Sequence, residues 1–262
     1  MNGRLLVVGV LAFGAVAMAG GVILWRGVYD RGPRLRDVSW LTEHPRWQEL
    51  DDASRTRLRS AADDVELHPR RGLAWGTLAA HVDIHGMTQE SLTLYQRAEE
   101  LRPDDARWPS LLASALARLE RFQDAIVCLR RAVVLAPDDV RLRLRLGEVF
   151  ERLDDPARAS HHYEHALLLD ARSVRARQAL GRISLAQGDV VSARAHLQRA
   201  VDAAPDVGES HSLLSQALQA LGEAETARRE AELAEESKQA ALPPEDPVRE
   251  FTLKSRTGRD SD

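Results

Sequence analysis

One distance governs this chain. Pro69, Pro103, Pro137 and Pro205 lie on a lattice with a period of 34 residues, and Ala171 stands in the remaining place. Three further columns keep the same period: Ala98, Ala132, Ala166, Ala200 and Ala234; Ser91, Ala125, Ala159, Ala193 and Ala227; Ala79, Ala113, Gly147, Gly181 and Ser215. Alanine is common here, so one column proves little, but four columns in phase are not a product of composition. A repeat of this size marks a supersecondary unit that cannot bury its apolar face alone and becomes stable only when stacked on its neighbours. Five units are expected, at 72–105, 106–139, 140–173, 174–207 and 208–241.

Within a unit the periodicity is helical. In residues 106–139, Leu112 and Leu116 share a face with Ala113, while Phe122, Ala125, Ile126, Leu129, Ala132 and Val133 recur at spacings of three and four. The two helices meet near Glu120, whose counterparts in the sister units are Gly86, Asp154, Gly188 and Gly222. A left-handed residue after a helix end favours Gly and tolerates Asp. Asp155-Pro156 sets a cap before a first-turn proline, and Asp105, Asp139 and Ser173 precede successive units as N-caps. The small residues in register mark close helix crossings, where a bulky side chain would force the pair apart.

The set Trp75, Leu78, Ala79, Ser91, Tyr95, Ala98 and Pro103 resembles the Trp, Leu, small, small, aromatic, Ala, Pro pattern of tetratricopeptide repeats. The resemblance spans about residues 72–241. It implies an all-α, right-handed solenoid of about five helix-turn-helix repeats whose first helices line a concave surface that receives a partner. By register, the second position of each unit gives Leu73, Arg107, Arg141, Arg175 and Glu209, with Arg145 and Arg182 beside that row and Arg118 and Arg152 near the helix ends. Guanidinium groups pair bidentately with carboxylates, so the expected partner is a protein or peptide that is acidic or offers a free carboxylate end. The opposing reading is a solvated charged face neutralised by Glu148 and Glu151. The family's clamp for a terminal carboxylate is not matched: Gly76, Ala80 and Leu111 stand at its first- and second-unit places, and only Arg141 and Arg145 resemble the third-unit part.

The ends of the chain differ from the repeats. Leu5 to Trp25 is 21 positions without a charge, about 31 Å as a helix and close to the thickness of a bilayer core. Arg4 and Arg26 bracket it, and Trp25 and Tyr29 suit an interface. Residues 1–26 read as a transmembrane anchor, with an export signal cleaved at Ala17-Met18-Ala19 as the rival. Arg26, Arg31, Arg34 and Arg36 argue for a cytoplasmic repeat domain, whereas the four-residue head suits an uncleaved export signal. The expectation is a single pass of the inner membrane with the repeats on the outer, periplasmic side, the cytoplasmic side remaining open. Residues 27–50 read as a linker whose Trp40 and Trp47 dock on the array. Residues 51–71 read as a degenerate capping helix carrying Leu58, Ala61, Ala62 and Val65, and 242–262 as a charged tail without structure.

These features bound the function. A net charge of −4 does not suit a nucleic-acid binder. Cys128, the single cysteine, has no partner for an internal disulfide and packs beside Leu129. His81 and His85 are four apart, as are His161 and His165 with His162 beside them. That spacing suits a metal, although solvated histidines give the same pattern. No Ser–His–Asp arrangement, glycine-rich phosphate loop or HExxH occurs in the sequence. The expectation is a non-enzymatic, cofactor-free, membrane-anchored scaffold that binds proteins during assembly of a membrane or envelope complex. The alternatives are a chaperone-like holder of an exported polypeptide, as in anchored repeat proteins of cytochrome c maturation, and a metal- or phosphate-binding module.

Overall fold

The computed structural model describes residues 38, 40–237 and 246–256, and among these there are fourteen helices and no strand. The apolar segment 5–25, its flanking arginines and the cleavage site lie outside the described residues. No helix among the described residues is long and apolar enough to cross a membrane. Contacts divide the chain into two units, Met1–His44 and Pro45–Asp262. The described part of the first holds α1 (Trp40–Glu43), in which Leu41 is buried and the Trp40 ring stands edge-on to His44 at 6.4 Å.

The second unit carries the repeats. It opens with α2 (Pro45–Glu49) and α3 (Asp52–Leu67). Five hairpins follow: α4 (Gly72–Ile84) with α5 (Thr88–Leu101), α6 (Arg107–Arg118) with α7 (Phe122–Leu135), α8 (Val140–Arg152) with α9 (Pro156–Leu169), α10 (Val174–Ala186) with α11 (Val190–Ala203), and α12 (Gly208–Ala220) with α13 (Ala224–Glu236). Each second helix packs on the first helix of the next hairpin, so the stack is a helical-repeat solenoid. The last described helix is α14 (Pro247–Arg256).

The hairpins turn by one device repeated five times. Gly86, Gly188 and Gly222 take φ of +79°, +78° and +81°, and Glu120 and Asp154 take +57° and +55°. Beyond each, the next N–H donates back to the carbonyl five residues earlier: Met87 to Val82, Arg121 to Leu116, Asp155 to Phe150, Asp189 to Ser184 and Glu223 to Leu218, at 2.9–3.2 Å. This closure satisfies carbonyls that the helix end leaves orphaned. Asp139, Asp155 and Asp189 cap their helices by accepting from Arg141, Arg158 and Ser192 N–H at 3.0, 2.9 and 3.1 Å. Ser173 departs from expectation, since its side chain makes no cap hydrogen bond.

The small-residue columns are the crossings. Ala98, Ala132, Ala166 and Ala200 have no exposed surface, and Ala79, Ala113, Gly147, Gly181 and Ser215 are buried. The reason is visible opposite the glycines. A Cβ on Gly147 would stand 2.5 Å from the Tyr163 ring, and one on Gly181 would stand 2.5 Å from Leu197. A large residue on the second helix fills the space that the first helix leaves, as close packing requires.

The first end of the array is closed by helices outside the repeats. Helix α3 buries Leu58, Ala61, Ala62 and Val65 and packs on α4. Part of the segment read as a linker is helical, and Trp47 in α2 is buried, with its carbonyl accepting from Arg55 Nε at 3.1 Å and the Arg59 guanidinium 5.1 Å over its ring. The tail reading needs correcting. Residues 247–256 are helical rather than without structure, because Asp246 and Pro247 start a helix and three of its side chains find apolar cover.

Candidate interaction groove

The first helices of successive hairpins form one face, with α4 against α6 and α10 against α12. Helix α14 lies on this face, packed on α4 and α6. Its start follows from local chemistry. Asp246 Oδ1 accepts from Val248 and Arg249 N–H at 3.0 and 3.2 Å, and Pro247 occupies the first turn, where its missing N–H costs nothing. Val248, Phe251 and Thr252, at helical spacing, are buried, while Leu253 on the other side is exposed.

The seat is aromatic and charged. Phe251 meets Trp108 edge to face, with ring centroids 5.6 Å apart and planes at 76°, the arrangement favoured by the ring quadrupoles. The Arg107 guanidinium lies 5.1 Å over Trp108 and 6.0 Å from Phe251. Glu250 accepts from Arg141 Nη1 at 2.9 Å and from Lys254 Nζ at 2.6 Å. These bonds hold the Glu250 carboxyl below its ordinary range, Lys254 contributing most and Arg141 next against the opposing effect of burial. Between α14 and helices α6 and α8 a depression of about 180 Å³ remains, lined by Arg107, Ser110, Arg141, Arg145 and Lys254 among others.

The predicted arginines divide. Arg107, Arg141 and Arg145 come together at the α14 seat. Arg118 lines a second depression with Asp246 and Pro247. Arg175 lies in the first turn of α10 and lines neither depression, and Arg152 and Arg182 belong to neither. Most of these cations are met by the chain's own acids. Arg107 grips Asp105 with bonds of 2.7–3.0 Å, Arg141 grips Asp139 at 3.0–3.1 Å, and Arg182 donates to Glu151 at 3.1 and 3.2 Å. Arg118 pairs with buried Asp83, and buried Arg145 donates to Ser110. Arg152 stands 3.9 Å from Glu120 and 5.2 Å over the Phe122 ring. A continuous cationic ladder therefore does not form: what remains is a cluster of three arginines beside an aromatic slot.

Burial pushes the Asp83 carboxyl up, with Arg118 opposing; burial also raises Asp139, but Arg141's hydrogen bonds and charge, with Arg145, together outweigh it and hold that carboxyl down. Arg141 is raised, chiefly by its bond to Asp139 and further by Glu250. The His161 ring stands 5.3 Å from those of both His162 and His165. His162 stacks on Phe150 at 5.3 Å. Among the described residues no group of three or more His, Cys, Asp or Glu is placed to hold a metal ion.

Trp108, Val248, Glu250, Phe251 and Lys254 were not foreseen. Their signal was present in Asp246-Pro247, the same opening as Asp155-Pro156, followed by Val248, Phe251 and Thr252 at helical spacing. A second signal lay in α4, whose residues are buried on nearly every side, including Gly76, Ala80 and Val82. A helix apolar all round is covered all round.

Tetratricopeptide-repeat family models match residues 110–149 and 150–217. A sequence search of curated proteins gives no match. Among solved structures, BtubC from P. vanneervenii is similar at 18% identity and a TM-score of 0.62, covering 75% of this chain and 96% of that one. MamA (41-end) from Desulfovibrio magneticus RS-1 is similar at 18% identity and 0.57, covering 64% and 95%. YrrB, described as a TPR protein with an unusual peptide-binding site, is similar at 16% identity and 0.54, covering 75% and 97%. At these identities the likeness is one of fold.

Proposed function

The helical array belongs to the tetratricopeptide-repeat family, and from that premise we propose that this chain is an interaction scaffold whose groove, at the first helices of its repeats, holds a helical segment of a partner protein. One observation carries the reading: the groove already holds a helix, α14, by burying Val248 and Phe251 and pairing Glu250 with Arg141. An amphipathic helix laid into a groove is a common mode of protein recognition, and the peptide-binding site named for YrrB supports it by analogy of fold. The partner presents an aromatic anchor and a carboxylate, which is narrower than a generally acidic chain. The uncharged segment 5–25 between Arg4 and Arg26 supports attachment to the inner membrane, and the four-residue head before it supports an outer-side array against the opposing arginines that follow the span. The scaffold then serves assembly of a complex at that membrane.

A photo-crosslinking residue tests this in intact cells. Placed at Ser114, half-buried beside the second depression, it is expected to capture a discrete polypeptide. Placed at Val134, which is 80% exposed on α7, it is expected to capture none. Arg141→Glu reduces the groove product. Equal capture at both sites, or none in the groove, contradicts the reading.

A further inference from the structure

Helix α14 is a short cover on an apolar surface. It has ten residues, and of its side chains Val248, Phe251 and Thr252 are buried. A helix this short does not hold itself together in water, so its order depends on the groove. The floor beneath is different in kind. Helix α4 has almost no polar face, and Trp108 on α6 is fully buried. Without α14 that floor would be an open apolar patch rimmed by Arg107 and Arg141, the form of a docking site rather than of an ordinary surface. The chain that links α14 to the array, residues 238–245, is short enough to keep it at high local concentration.

We propose that α14 is an intramolecular stand-in for the partner: it closes the groove over the first two repeats, and a partner helix with an aromatic residue next to a carboxylate, as Phe251 follows Glu250, must displace it to bind. The inference rests on the reading that the groove receives a helix, and adds that the free protein is closed. The seat selects by chemistry that is already filled. An aromatic side chain takes the slot against Trp108 and a carboxylate takes Arg141 Nη1. Arg107 contributes its face to the slot, with Nε and Nη2 held by Asp105. A tether of eight residues gives an effective concentration on the order of millimolar. If the free segment binds with a dissociation constant of about 0.1 mM, closure weakens an outside competitor roughly tenfold.

The test uses the full-length chain in mild detergent and a fluorescent peptide of residues 246–256 as the probe. Phe251→Asp in the protein unseats α14 without touching the array. By anisotropy the probe should bind this variant at least tenfold more tightly than wild type, and a probe that itself carries Phe251→Asp should bind neither. Adding Arg141→Glu to the unseated protein should weaken the probe again. Equal affinity for both proteins would overturn closure while leaving a receptive groove. No binding to the unseated variant would overturn the stand-in itself. A wild-type dimer by sedimentation that Phe251→Asp converts to monomer would show α14 capping a second copy, and would overturn the intramolecular form. The scaffold reading fails separately, if groove crosslinks capture nothing while the anisotropy result holds.

Discussion

Single side chains in this protein are set by what stands opposite them. His162 is an instance. Its ring lies flat against Phe150, planes 3° apart, and its pKa is lowered to about 4, by burial first and then by His161, Arg143, Arg130 and His165. The folded state therefore prefers the neutral ring. Its contribution is complete above the ordinary value of about 6.5 and is lost as pH falls through about 4. The melting temperature should decline over that window, and His162→Phe, which keeps the stack and removes the proton, should decline less. His85 and His196 are lowered in the same direction, so the slope is reduced rather than abolished. Identical slopes in thermal melts would remove this account of His162. The arginines teach the same lesson. Their register on the inner face was legible in the 34-residue spacing, but their pairing was not. Asp105-Ala106-Arg107 and Asp139-Val140-Arg141 put an acid two residues before the cation, and each arginine folds back on it. Local acids therefore claimed most of the charge that the sequence had suggested was free for a partner.

At the scale of the element, the hairpin was legible almost in full, because each turn needs a left-handed residue and each crossing needs a small one. Where the sequence departs from that chemistry the fold pays a small strain. Glu120 sits at φ +57° without being glycine. A left-handed L residue costs about 1–2 kcal/mol, and glycine returns roughly 0.5–1 kcal/mol of that through the freedom of the unfolded chain. Glu120→Gly should then raise stability by about 0.5–1 kcal/mol, read as a higher urea midpoint with an unchanged slope. The lost pair with Arg152, exposed and at 3.9 Å, offsets little of it. A lower midpoint would show that the turn is held by something other than its backbone. Helix α14 was the element missed. Its apolar content is too low for a helix that must stand alone, and its fold depends on contacts with α4 and α6 more than 120 residues earlier in the chain. A pattern confined to ten residues does not report such contacts, whereas the all-round apolar sequence of α4 reported the need for a cover without naming it.

For the molecule as a whole, the repeats stack through small residues, and the groove is the place where that stack meets another helix. The central claim is that α14 occupies this groove in the free protein. Hydrogen exchange on the full-length chain measures it directly, because a seated helix protects its amides and a released one does not. The account predicts that amides in 250–256 exchange at least tenfold more slowly than a free coil in wild type. In Phe251→Asp they should reach coil rates, while α8 to α13 remain unchanged. Coil-rate exchange of α14 in wild type, or protection that survives Phe251→Asp, would contradict it.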